Sequence, residues 1–147
     1  MRSVGRNERG SAVVEFLGVS LLLLVPIVYL VLTLSRVQAA TFAAEGAARE
    51  VGRIVAQAET LEAGLARAER AVELAFADQG FDVDGGQALR VSCAAVPCLT
   101  PGAEVHVEVA TVVALPLVPD FLRQAVPAEV PIAAGHLVMM PEFREVP

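Results

Sequence analysis

Hydrophobic positions fall into three regimes along this chain. From Phe16 to Ser35 no charged residue occurs. About 20 helical residues at ~1.5 Å rise each cover ~30 Å, the hydrocarbon thickness of a bilayer. The run predicts a transmembrane helix over 11–35, with Pro26 in its middle, a position that membrane spans tolerate. The Ala-rich stretch from Val37 to about Ala56 continues this helix beyond the membrane. Within it Glu45 and Arg49 stand at i,i+4 in the favoured order. Gly46 and Gly52 either weaken the helix or admit a close neighbour. A break is expected over Gln57–Thr60, where polarity rises.

The second regime has a period of three to four. Leu61, Leu65, Ala68, Val72 and the Ala75/Phe76 pair form one apolar stripe, and Glu62, Arg67, Glu69, Arg70 and Glu73 fill a solvated face. A helix over Leu61–Ala77 follows, with Gly80 as its C-terminal cap. Phe81–Gln87 is expected to be a turn. Asp82 and Asp84 beside Gly85 and Gly86 suggest calcium only superficially, because the further acidic ligands and the closing glutamate are missing.

The third regime alternates with period two. Leu89, Val91 and Cys93 alternate with Arg90 and Ser92, and Val105 to Val113 alternate with Glu104, His106, Glu108 and Ala110. Pro97 and Pro101-Gly102 lie between them, so the pair predicts an antiparallel hairpin with a long loop. Prolines punctuate the next stretch, with a helical turn over Asp120–Ala125. A last strand is expected over Ile132–Met139, at an edge because prolines flank it. Together the pattern predicts an α+β fold. An N-terminal transmembrane helix extends out of the membrane, followed by a second amphipathic helix and a small three-stranded antiparallel sheet packed on that second helix. The domains are a basic leader (1–10), the transmembrane helix (11–35) and an extracytoplasmic α+β domain (36–147).

Charge sets the orientation. Arg2, Arg6 and Arg9 precede the apolar run against Glu8 alone, and Arg36 follows it. The positive-inside rule puts the N-terminus in the cytoplasm and the chain after Arg36 outside, as a single-pass protein of the plasma membrane. A cleaved signal peptide is the rival: Val37-Gln38-Ala39 offers small residues, but the apolar core is longer than such peptides carry. No cysteine near the run could take a lipid anchor, and no twin-arginine pair occurs. The remaining 112 residues suffice for one modest core. A net charge of −6, few aromatics and no tryptophan exclude nucleic acid as an expected partner.

Candidate chemistry is sparse. Cys93 and Cys98, with four residues between them, are the only cysteines; an oxidising outer compartment favours a disulfide. Free thiols remain an alternative. So does a metal site, if folding were to bring His106 and His136 alongside, and so does a redox pair, though the spacing is not Cys-x-x-Cys. No nucleophile with an aligned base, phosphate-cradling loop or ligand cluster is present, so neither an enzyme nor a cofactor is expected. The one anomaly is Glu15, a carboxylate at the start of an apolar helix, where an acid is costly unless it snorkels or finds a partner.

Gly10 stands five residues before Glu15, preceded by Arg9. This Gly-x-x-x-x-Glu placement resembles the processing site of type IV pilin-like proteins. The fuller string Gly10-Ser-Ala-Val-Val-Glu15-Phe16-Leu17, with Pro26 in mid-helix, resembles the N-terminus of the TadE-like family of pilus-assembly pseudopilins. The resemblance covers about Arg9 to Arg36 and is architectural beyond. It implies a pilin-like fold, cutting between Gly10 and Ser11 by a prepilin peptidase, and a role for Glu15 in registering subunits. The implied function is that of a minor pseudopilin in a tight-adherence (Tad/Flp-type) pilus or secretion system. Its implied partners are the peptidase, other pilins and pseudopilins, Tad assembly proteins and membrane lipid. Major Flp pilins carry tyrosine where this chain has Phe16 and lack a folded outer domain, which favours the minor role. The alternative is an unprocessed, membrane-anchored extracytoplasmic domain that binds a partner and never joins a fibre.

Overall fold

The computed structural model describes residues 8–118, 121, 125 and 127–143. Its elements are α1 (Glu8–Gln57), α2 (Leu61–Ala77), α3 (Gly85–Ala88), β1 (Leu89–Cys93), β2 (Glu104–Ala114) and β3 (Glu129–Met139). This is the α+β architecture anticipated from the sequence. The chain divides into two units, Met1–Ser35 and Arg36–Pro147.

In the first unit the apolar run is helical throughout, Pro26 included, and its large side chains are exposed: Phe16 at 70%, Leu22 at 74% and Leu30 at 64%. No described residue covers this run, and a helix apolar on all sides is of the kind that a core or a membrane buries.

The second unit is built on the later half of α1. Ala40, Ala43, Ala44, Ala47, Ala48, Val51 and Val55 recur at three- and four-residue spacing and are all buried, while Phe42, Glu45, Gly46 and Arg49 face outward. Small side chains let other elements approach the helix closely. At Gly52 an added Cβ would stand 2.8 Å from the His136 ring and 3.6 Å from the Val138 Cβ, so the contact is with strand β3. Gly46, by contrast, has open space around it and is simply a weak helix position. The stripe of α2 and the inner face of the sheet share one core, as expected, and α1 adds a large buried face that the sequence did not single out and that meets β3 directly.

Helix α2 starts at its N-cap Thr60, whose hydroxyl accepts from the Ala63 N–H at 3.3 Å. Of the anticipated stripe it buries Ala68, Val72 and Phe76 and half-buries Leu61, Leu65 and Ala75; Gly64 is buried as well, and Leu74 is exposed. Its end is a Schellman turn. The Phe81 N–H reaches the Phe76 carbonyl at 3.0 Å and the Gly80 N–H reaches that of Ala77 at 2.9 Å. Gly80, at φ +76°, supplies the left-handed residue this turn requires. The accompanying apolar contact is an edge-to-face pair of Phe76 and Phe81, centroids 6.3 Å apart.

The expected turn over Phe81–Gln87 is in part a helix. Asp84 caps the short α3, accepting from the Gln87 N–H at 3.1 Å. Gly85 begins it in tight contact with α2: an added Cβ would lie 2.2 Å from the Glu69 carbonyl oxygen.

The sheet has the order β1-β2-β3, antiparallel throughout. Strand β2 is central and buries Val105, Val107, Val109 and Val113. Its register pairs Val91 with Val107 and His106 with Leu137. Strand β3 begins three residues before the expected start and takes in Pro131, opposite Val112. It is an edge strand, where a missing N–H is tolerated. The helical turn expected over Asp120–Ala125 falls largely outside the described residues.

Candidate functional site

The sequence singled out two places, and the structure puts them in different units. Gly10, Ser11 and Glu15 belong to the first turns of α1, which is already helical at Glu8. Gly10 and Ser11, expected at the end of a leader and the start of the helix, thus both lie within it. Glu15 is exposed and makes no ion pair or hydrogen bond with any described residue. A helix places Gly18 three residues on along the same face, and nothing lies within 4 Å of a Cβ added there. The carboxylate therefore stands beside open space at Gly18.

Cys93 and Cys98 lie in the second unit. They are joined as a disulfide, Cα atoms 5.2 Å apart, at the end of β1 and the start of the loop to β2. That separation is ordinary for such a bridge. The loop is also held by Thr100, whose N–H and hydroxyl both donate to the Pro97 carbonyl, and by the Gly102 N–H on the Met140 carbonyl at 3.1 Å. The result is a stapled hairpin loop with Val96 fully exposed at its tip.

The histidines are not brought together as ligands. His106 is on the outer face of β2; His136 lies within β3 on its inner face, half-buried against Gly52. Among the described residues no group of three or more His, Cys, Asp or Glu side chains could hold a metal ion.

An open groove of about 570 Å³ runs between α2 and the segment after it, floored by Leu74, Ala77 and Phe81. Its acids are partly committed to the backbone: Glu73 accepts from the Gly85 N–H at 3.3 Å and Asp84 caps α3. Nothing there aligns a nucleophile with a base.

One contact was not foreseen. Arg36, the first charged residue after the apolar run, stacks its guanidinium over the Phe81 ring, 4.7 Å from the centroid. Phe81 is itself 8% exposed, so the platform is fixed. The sequence carried half the signal, a lone arginine at the end of the run; that its partner is an aromatic 45 residues on is set by the Schellman turn.

Ion pairing elsewhere is superficial. Arg49 sits 3.8 Å from Glu45, and Arg53 donates from Nε to Glu50 at 2.9 Å. Hydrogen bonding from Arg53, helped by its charge, holds the Glu50 carboxyl below the usual range.

Comparison with known proteins adds no relative: no family model, curated protein or solved structure matches this chain. Among the described residues one helix, containing Ala12–Gln57, is long and apolar enough to cross a membrane.

Proposed function

We propose that this chain is a membrane-anchored minor pseudopilin of a tight-adherence type pilus or secretion system, acting in pilus assembly. The observation that carries the proposal is Glu15: an exposed carboxylate with no partner among the described residues, beside open space at Gly18 near the head of an exposed apolar helix. Cleavage between Gly10 and Ser11 would remove the arginine-rich leader and create an α-ammonium four residues from Glu15. In a bundle of such helices the ammonium of one subunit pairs with Glu15 of the next. Partial desolvation makes that attraction far stronger than in water. The pairing sets the stagger between subunits, and the α+β domain is carried outside the membrane.

A secreted form cut after Ala39 is disfavoured. Ala40 is fully buried within the continuous α1, and Val37 and Ala39 pack against the same core. The uncut, anchored partner-binding domain has one observation in its favour. The Gly10–Ser11 bond is helical, and a peptidase needs its substrate extended.

Intact mass of the protein expressed with and without a prepilin peptidase separates these readings. A peptidase-dependent start at Ser11 supports the pseudopilin. A Met1 start under both conditions supports the uncut anchor, and a start near Ala40 defeats both. Glu15→Gln is expected to abolish assembly while leaving membrane association intact.

A further inference from the structure

Arg36 has three properties that belong together. It stands at the end of a charge-free run whose ~30 Å length matches the hydrocarbon layer. One face of its guanidinium is spent on Phe81, 4.7 Å away, and that ring is held by burial and by its edge contact with Phe76. Its N–H donors make no hydrogen bond or ion pair with any described residue, although Arg36 is exposed and long enough to reach one.

Arginine at such a position is ordinarily a flexible snorkelling side chain. Here the contact with Phe81 restrains the planar fork, and no described residue takes its donors, an arrangement suited to a bidentate phosphate contact. Resting on the membrane reading above, we propose that Arg36, stacked on Phe81, holds the phosphate of a phospholipid headgroup at the outer end of the apolar run. The occupant is a phospholipid because the donors lie at headgroup depth, where phosphodiesters are the abundant anions. The phosphate is common to zwitterionic and acidic lipids, so no particular headgroup is required. The contact fixes the depth of the helix through a single residue that the outer unit itself positions.

The test is solid-state NMR on the full chain, labelled with carbon-13 at the arginine guanidinium carbons, in phosphatidylcholine liposomes and phosphate-free buffer. Phosphorus-31 dephasing of the labelled carbons is compared between wild type and Arg36→Gln. Leader arginines also meet phosphates, so the difference between the two spectra isolates Arg36. The expected result is a dephasing component lost in Arg36→Gln and weakened in Phe81→Leu. Unchanged dephasing in Arg36→Gln overturns the proposal, as does full wild-type dephasing in Phe81→Leu. Should Phe81→Leu fail to fold, Arg36→Gln still decides, because Arg36 is exposed and its loss leaves the core intact. Galactolipid liposomes with added inorganic phosphate give the third arm. Equal dephasing there identifies a general phosphate site and overturns the assignment to a headgroup. Flotation of the same samples separates the two levels of the argument. A chain that does not float with liposomes defeats the anchored reading and this inference together. A chain that floats but shows no Arg36 component defeats this inference alone.

Discussion

Gly85→Ala tests whether the contact between α2 and α3 is as close as described. The added Cβ would lie 2.2 Å from the Glu69 carbonyl oxygen, 2.7 Å from its carbon and 3.0 Å from its Cα. Ordinary carbon contacts begin near ~3.5 Å, so the two backbones must part by roughly 1 Å. All three atoms are main chain, and the neighbouring Ala68 and Val72 are fully buried, so α2 cannot retreat without opening the core. Overpacking of this kind costs about 1–3 kcal/mol, and a rigid neighbour puts the cost at the upper end. The Gly85 N–H bond to Glu73 would be strained as well, at about 1 kcal/mol. Against this, alanine is the better helix former by about 1 kcal/mol. The net expectation is a loss of about 3 kcal/mol, or ~10 °C in melting temperature for a unit of this size. The assay is thermal unfolding of the full chain in mild detergent, followed by far-ultraviolet circular dichroism. Gly46→Ala is the control: with open space around the site it should melt slightly higher, by up to about 1 kcal/mol. If Gly85→Ala melts with or above the wild type, the close approach is wrong.

Further expectations concern the same unit. Phe76→Ala removes the largest fully buried side chain and should cost about 3–5 kcal/mol in the same melts. Replacing both Cys93 and Cys98 by serine opens a short loop, so the midpoint in denaturant should fall by only about 2 kcal/mol. The depressed Glu50 carboxyl makes its contribution above the ordinary glutamate pKa and loses it as pH falls through its lower folded value. Glu50→Gln should therefore lower stability slightly at neutral pH and converge with wild type in acid, an effect that added salt shrinks. Direct titration by NMR should find Glu50 below an unpaired glutamate; a normal value there would remove the Arg53 contact from the account.

The elements most legible in the sequence were those with strong contrast. Leu61–Ala77 alternates charge and apolar groups with helical period, and β2 alternates valine with polar residues, so both type and facing could be read locally. The face of α1 within the second unit could not. The small Ala40, Ala43, Ala44, Ala47 and Ala48 are buried while the large apolar Phe42 is exposed, an order that hydrophobicity does not give and that depends on what packs against the helix. Helix α3 was missed because two glycines argue against a helix. Only the cap at Asp84 and the contact with Glu69, remote in sequence, make one turn worthwhile. Pro131 marked the edge strand correctly but was read as its boundary, since pairing with Val112 is decided by β2. Of the candidate site, Glu15 was visible from its charge beside an apolar run, and the disulfide was one of the readings open to the only two cysteines. The Arg36–Phe81 stack needed the fold.

The alanine face of α1 also has a consequence for how this protein can change over generations. Among the described residues its core is mostly alanine and valine, with few bulky groups. Losing a methyl group from such a core removes little, whereas adding one at Ala44 or Ala47 must push whole elements apart. Drift in the outer unit should therefore be constrained chiefly against enlargement, so that inherited variants which grow a buried residue are purged faster than those which trim one.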